Sequence, residues 1–207
     1  MATILLIRHA ENEFVAQGRL AGRLSGVSLN TKGESQARLL ADKLASAPIK
    51  ALYSSPLDRC METAQPLANQ LGCEIISNEG LTEVDFGDWA GKTLKQLRRR
   101  KLWPVVQQRP SIVQFPNGET FASAQSRITT ALNTLSQRHK ETDLIACFSH
   151  SDIIKLAVAY FLGTPLDLFQ RIIVHPASIS TLHISTWGIR VINLNYNDLG
   201  NFLAPKS

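Results

Sequence analysis

The segment TILLIRHAEN, residues 3–12, is an apolar run that ends on Arg8 and His9. A strand end usually hands over to Gly, Asn or Ser, which suit the turn that follows. A second run, DLIACFSH at residues 143–150, has the same design and ends on His150. Between them ALYSS, residues 51–55, leads directly into PLDRCMETAQPLANQLG, residues 56–72, which places Arg59 in the first turn of a helix with Pro56 near its start and Gly72 at its end. The other apolar segments alternate in type. TKGESQARLLADKLAS (31–46) reads as an amphipathic helix in which Thr31 and Glu34 have capping-box spacing, and CEIIS (73–77) as a weak strand. LKQLRRRK (94–101) reads as a short basic helix and GETFASAQSRITTALNTLSQRH (118–139) as a long one. SDIIKLAVAYFLG (151–163) is a further helix, and SISTLHIS (178–185) with IRVINLN (189–195) form two late strands around Trp187 and Gly188. Strands alternating with helices predict an α/β fold with a mainly parallel central sheet covered on both faces.

Composition sets the frame for that fold. At 207 residues and 44% hydrophobic, with no linker or repeat, the chain is expected to form one domain over residues 1–207. The formal charge of +5 favours anionic partners in general, small phosphorylated metabolites as well as nucleic acid. The run Arg98–Lys101 reads as a solvated helix face, so nucleic acid is not expected. The first ten residues carry no basic leader, and their apolar run is too short for a signal peptide or a membrane span, so a cytoplasmic protein without membrane contact is expected, as monomer or homodimer. Three cysteines (Cys60, Cys73 and Cys147) without a CxxC pair indicate neither a disulfide framework nor a zinc site.

In an open α/β sheet, ligands bind in the crevice beyond the carboxyl ends of the strands. If the three strands are neighbours, Arg8, His9, Arg59 and His150 converge there, and two arginines with two histidines near a helix N-terminus suit a phosphoryl group. A neutral imidazole is a competent nucleophile toward phosphorus and splits the displacement into two steps through a phosphohistidine. Arginines stabilise the charge on the equatorial oxygens. The departing alkoxide needs a proton, and Glu83 in LTEVDFGDW, with apolar neighbours that raise a carboxyl pKa, is the candidate ahead of Glu11, Glu79 and Asp85.

These residues resemble the histidine phosphatase superfamily, the phosphoglycerate mutase-like group. LIRHAEN is similar to its RHG signature, SSPLDRCMETAQPLA to its second arginine motif and LTEVDFGDWAGKT to its acid loop. FPNGETFASAQSRI and CFSHSDIIK resemble its closing motifs, and GRLAGRLSGVSLNTKGESQA its segment after the first strand. The resemblance implies a three-layer α/β/α sandwich, no metal and no cofactor. It implies His9 as the phosphorylated nucleophile, Arg8 and Arg59 as the phosphoryl clamp, His150 as the completing histidine and Glu83 as proton donor and acceptor. Two usual glycines are replaced by Ala10 and Ser151, both expected to supply a backbone N–H. Val15 stands where many members carry a phosphate-contacting asparagine, and Asn12 is the candidate to take over that contact. Arg127 reads as a surface or buried-pair residue, His139 and His183 as structural, and His175 equally as a turn residue or a neighbour of the pocket. The activity expected is hydrolysis of a small phosphate monoester. The alternatives are a phosphoglycerate-type mutase, which needs more chain to exclude water, or a phospholigand-binding module weakened at Val15 and Ala10. Substrate choice is expected to lie in loops 12–30, 92–118 and 164–178.

Overall fold

The computed structural model describes residues 1–197; residues 198–207, part of the expected 1–207 domain, lie outside the described residues. The elements in chain order are β1 (Ala2–Arg8), α1 (Glu13–Ala16), α2 (Thr31–Leu44), β2 (Ile49–Ser54), α3 (Asp58–Leu71), β3 (Ile75–Ser77), α4 (Leu94–Leu97), α5 (Trp103–Gln108), α6 (Phe121–Gln137), β4 (Leu144–Ser149), α7 (Ser151–Phe161), β5 (Ile179–Ser185) and β6 (Gly188–Tyr196). They form one six-stranded sheet in the order β3-β2-β4-β1-β5-β6. The four strands from β3 to β1 are parallel, while β5 and β6 join antiparallel.

The near-continuous apolar runs are explained by burial on both faces. Along β1, Ile4 and Leu6 pack into one core with α6 and α7, and the alternate residues Leu5 and Ile7 pack into a second core with α2 and α3. β4 divides the same way, with Ile145 and Cys147 on one side and Ala146 and Phe148 on the other. The period of two along a strand thus places a helical layer on each face, giving the three-layer α/β/α sandwich.

Several boundaries differ from the sequence expectation. The cap of α2 is Asn30, whose side chain accepts from the Gly33 N–H; Thr31 is already helical, and Glu34 pairs with Arg38 at 3.4 Å. Two adjacent residues could each cap, and the asparagine takes the role one position earlier. The basic helix is a single turn, α4, held by a capping box of Thr93 and Gln96, and Arg98–Lys101 follow it exposed to solvent. Unforeseen in the sequence was α5, a short helix entered through Pro104. The expected end of α3 at Gly72 is seen, in the left-handed conformation at φ 62°.

Candidate active site

The three strands that carry the candidate residues lie side by side, with β4 between β2 and β1. Their ends are in register: Arg8 stands opposite Ser149, and Ser54 opposite Phe148. The ladder continues one residue further, since His9 N–H donates to Ser149 O at 2.9 Å and Ser55 N–H to Phe148 O at 2.9 Å. His9 and Ser55 are therefore fixed by sheet backbone as they leave the strands, and His150 directly follows Ser149, the last residue of β4. The His9 and His150 rings meet edge to face with centroids 5.3 Å apart.

Hydrogen bonding assigns each ring its proton. His9 Nδ1 lies 2.7 Å from Ala10 O, which only accepts, so Nδ1 carries the hydrogen and Nε2 keeps its lone pair. Burial, and then the positive charges of Arg59 and Arg8, hold the His9 pKa well below its ordinary value, so the ring is neutral. His150 has the opposite pattern. Arg59 Nη2 donates to its Nδ1 at 3.1 Å, and its Nε2–H lies 2.8 Å from Ser55 Oγ. Both ring nitrogens of His150 are thus engaged by the protein, and burial followed by Arg59 keeps it neutral as well. Its place at the N-cap of α7 brings the first-turn N–H groups, which lack intrahelical acceptors, to the same crevice.

Arg59 is buried and Arg8 half-buried, and both have donors to spare. Arg59 is 1% exposed and donates through Nη2 to Gly22 O at 2.8 Å, while its Nε and Nη1 have no partner among the described residues. Arg8 donates through Nη1 to Val174 O at 2.7 Å, and its buried Nε is likewise unpartnered. A buried charged donor without an acceptor is costly unless a ligand supplies one. Three such donors around an unprotonated imidazole nitrogen make an anion site.

Glu83 enters from the loop after β3. Its Oε1 accepts from the Val84 N–H at 2.9 Å and its Oε2 lies 3.9 Å from His150 Nδ1. Burial, reinforced by the nearby Asp152 carboxylate, raises its pKa to about 7, although Arg59 and Arg8 pull the other way. The backbone of this loop is held by Arg127 and by two side chains the sequence did not mark, Arg23 and Glu119. Arg23 Nε donates to Glu83 O at 2.8 Å, and Arg127 donates to Thr82 O at 2.7 Å and to Gly80 O at 3.1 Å. Glu119 Oε1 gathers both guanidinium groups at 2.8 Å each, together with the Asp85 N–H at 2.9 Å. Arg127, expected as a surface or buried-pair residue, is a half-buried ion-pair residue with the added task of holding the acid loop. Gly87, at φ 50°, and Gly118 let this loop press against residues 116–119; a Cβ at either would collide with Pro116 O or Asp85 O.

The geometry refines four of these readings. The Ala10 N–H is not free, because it donates to Thr63 Oγ1 at 3.0 Å. Asn12 is fully buried, and its Oδ1 caps α1 by accepting from the Val15 N–H at 2.9 Å, so only its unpartnered Nδ2 is left to face a ligand. Among the described residues no protein atom bonds that amide nitrogen. His150 uses its ring to orient Arg59 and Ser55 rather than presenting a free nitrogen. His175 is exposed, and its loop reaches the pocket through the Val174 carbonyl on Arg8 instead. Ser151 opens α7, half-buried. His139 bonds Tyr53 and His183 bonds Thr3, in line with structural roles. Cys60 lies 3.5 Å from His150 Nε2 with its thiol pushed up to about 12 by burial, which keeps it an inert packing group. Among the described residues no helix is long and apolar enough to cross a membrane.

A family model described as the histidine phosphatase superfamily (branch 1) matches residues 4–197. The chain belongs to the histidine phosphatase superfamily. It is 30% identical over 208 residues to phosphoserine phosphatase 1 of Hydrogenobacter thermophilus, covering 98% of this chain and 96% of that one. It is 27% identical over 184 residues to a 2,3-bisphosphoglycerate-dependent phosphoglycerate mutase of Thermoplasma acidophilum, covering 89% and 88%. Among solved structures, Bacillus stearothermophilus YhfR superposes with a TM-score of 0.88 at 26% identity, over 94% of this chain and 97% of that one. The phosphoserine phosphatase of Entamoeba histolytica, solved with 3-phosphoglyceric acid, shares the fold with a TM-score of 0.85 at 24% identity, over 96% and 98%.

Proposed function

We propose that this histidine phosphatase hydrolyses a small phosphate monoester through a phosphohistidine on His9. The observation that carries the reading is the set of unpartnered donors, Arg8 Nε with Arg59 Nε and Nη1, beside a His9 whose Nε2 is unprotonated. In the first step Nε2 attacks phosphorus, the ester P–O bond breaks, and the protonated Glu83 gives its proton to the departing alkoxide. In the second step the Glu83 carboxylate takes a proton from water, the water oxygen bonds to phosphorus, the P–N bond breaks, and inorganic phosphate leaves. The guanidinium groups bear the charge of the equatorial oxygens in both steps, so no metal ion is called for. Asn12, through Nδ2, and Ser151, through its N–H at the start of α7, are further ligands of the phosphoryl oxygens.

Hydrolysis is favoured over phosphoryl return to the substrate by the short cover over the site. Between the acid loop and α6 the chain supplies the small helices α4 and α5 and a 3-10 turn at Pro110–Ile112, little material to keep water from a phosphoenzyme. The relatives named as phosphoserine phosphatases support this reading, and the mutase relative supports the same first step. A screen of phosphorylated metabolites in excess chelator, followed by rapid-quench mass spectrometry, tests it. Phosphate release with an acid-labile phosphate on His9 is expected. Turnover that requires added metal, or phosphate trapped on His150, would remove the assignment.

A further inference from the structure

The geometry points to a leaving-group site for an apolar, ring-bearing alcohol, formed by the aromatic cavity that adjoins the catalytic cluster. This assignment rests on the phosphatase reading and specifies its substrate class. The cavity has a volume of about 250 Å³ and walls that include Leu20, Phe86, Trp89, Trp103 and Phe115. A cavity of roughly 150 Å³ accepts a benzene ring, so the space here suits one or two rings. Trp89 and Trp103 lie nearly parallel, at 19° with centroids 6.2 Å apart, and Phe115 stands edge-on to Trp89 at 5.3 Å. Flat rings held at such angles favour another flat ring by area and by their quadrupoles.

Two features join this cavity to the phosphoryl site. Asp152, the second residue of α7, lines the cavity, and its charge acts on both Glu83 and Arg8. Gly22, whose carbonyl holds Arg59, lies against Phe86 of the cavity wall. A phosphoryl group on His9 would therefore have its ester oxygen near Glu83 and its alcohol directed between α7 and the residues around Trp89.

The polar edge of the cavity argues against a carboxylate-bearing alcohol. The cation lining it is Lys155, and that ammonium is already bound to Asp152 at 2.9 Å and to Gln170 at 2.8 Å, with the Phe169 ring 5.4 Å away. A substrate carboxylate entering here would meet the Asp152 charge and a lysine already neutralised by it. An apolar ring meets no such penalty and gains the aromatic walls.

The test compares 2-phenylethyl phosphate, ethyl phosphate and phosphoserine with the purified protein. All three release an aliphatic alcohol, so the comparison reads binding rather than leaving-group acidity. The ring is expected to lower KM at least tenfold relative to ethyl phosphate with little change in kcat. Trp103→Ala should raise KM for 2-phenylethyl phosphate about fivefold or more and leave kcat/KM for the other two within twofold. Leu20→Ala on the loop wall should act in the same direction and serves if the tryptophan variant does not fold. Hydrolysis of ethyl phosphate and phosphoserine with no advantage for the ring, or equal losses on all three in both variants, would overturn the cavity assignment alone. Hydrolysis of none of the three, without phosphate on His9, would overturn the phosphatase reading with it.

Discussion

The strand-end cluster and the acid loop face the same crevice but are held in different ways. Arg8, His9 and Ser55 leave adjacent strands whose backbone ladder fixes them, and His150 directly follows the last residue of β4, so their spacing follows from the sheet itself. Glu83 sits on a loop with no ladder. Its carbonyl and those of Gly80 and Thr82 are caught by Arg23 and Arg127, which Glu119 draws together from the turn before α6. The nucleophile and clamp therefore depend on main-chain geometry, which most substitutions leave intact. The proton donor depends on three charged side chains from outside its loop, beside the main-chain bonds from the Glu119 N–H to Asp85 O and from the Asp88 N–H to Pro116 O. Substitutions in the first region should remove chemistry outright, and those in the second should grade it.

The largest effect is expected at His9. His9→Ala removes the atom that bonds to phosphorus, so turnover should fall by roughly four orders of magnitude or more, together with the acid-labile label. Because the ladder bond at this position runs through the His9 backbone, the melting temperature should change little. A His9→Ala protein that still formed a phosphoenzyme would show that the sheet-fixed cluster presents a different nucleophile.

Glu83→Gln comes next, and its effect should depend on the leaving group. An alkyl phosphate should lose roughly a hundredfold or more in kcat, whereas a nitrophenyl ester, whose anion leaves without a proton, should lose far less. The same residue sets a pH limb. With the carboxyl pKa raised to about 7, mainly by burial, the acid form is lost as pH rises through that value and kcat/KM for alkyl esters falls above it. His9 is held neutral well below 6.5, so the acid side should instead report the second ionisation of the substrate, near pH 6. Stability carries the matching sign. A folded pKa above the unfolded one means that Glu83 contributes stability below its ordinary 4.5, and that this contribution is lost as pH rises through about 7. Melting temperatures measured from pH 5 to pH 8 should therefore fall less for Glu83→Gln than for the native chain. Equal impairment on both leaving groups, with the upper limb unchanged, would take the acid role away from Glu83.

The contrast between the two regions also marks what the sequence disclosed. Two apolar runs ending in histidine, with Arg59 at a helix start between them, were legible because a strand period and an α/β order leave one crevice for them to meet in. The tethers of the acid loop were not. Arg23 donates to a backbone carbonyl, Glu119 accepts from a backbone N–H, and the two pair with each other across long stretches of chain, so no spacing rule finds them. The free N–H expected of Ala10 was misread for a similar reason: its acceptor, Thr63, belongs to α3 and lies 53 positions along the chain. The direction of β5 and β6 was also hidden, because alternation defines faces and not the sense of pairing.

The smallest of these effects is expected at Glu119, and it probes the tethers directly. Glu119→Gln keeps an oxygen that can accept one guanidinium but removes the charge that binds both Arg23 and Arg127. These side chains are partly exposed, at 37% for Arg23 and 19% for Glu119, so solvent screening keeps the loss modest. The acid loop should loosen without unfolding, and kcat on an alkyl phosphate should fall about tenfold, on the low side of general acid catalysis. A nitrophenyl ester should be nearly unaffected, and the upper pH limb should move down toward the ordinary carboxylate range as Glu83 becomes more solvated. A merely structural role would instead lower the melting temperature and slow both esters alike with the pH profile in place. That outcome would mean the acid loop holds its own shape, and that the arginines and Glu119 stabilise the fold rather than position Glu83.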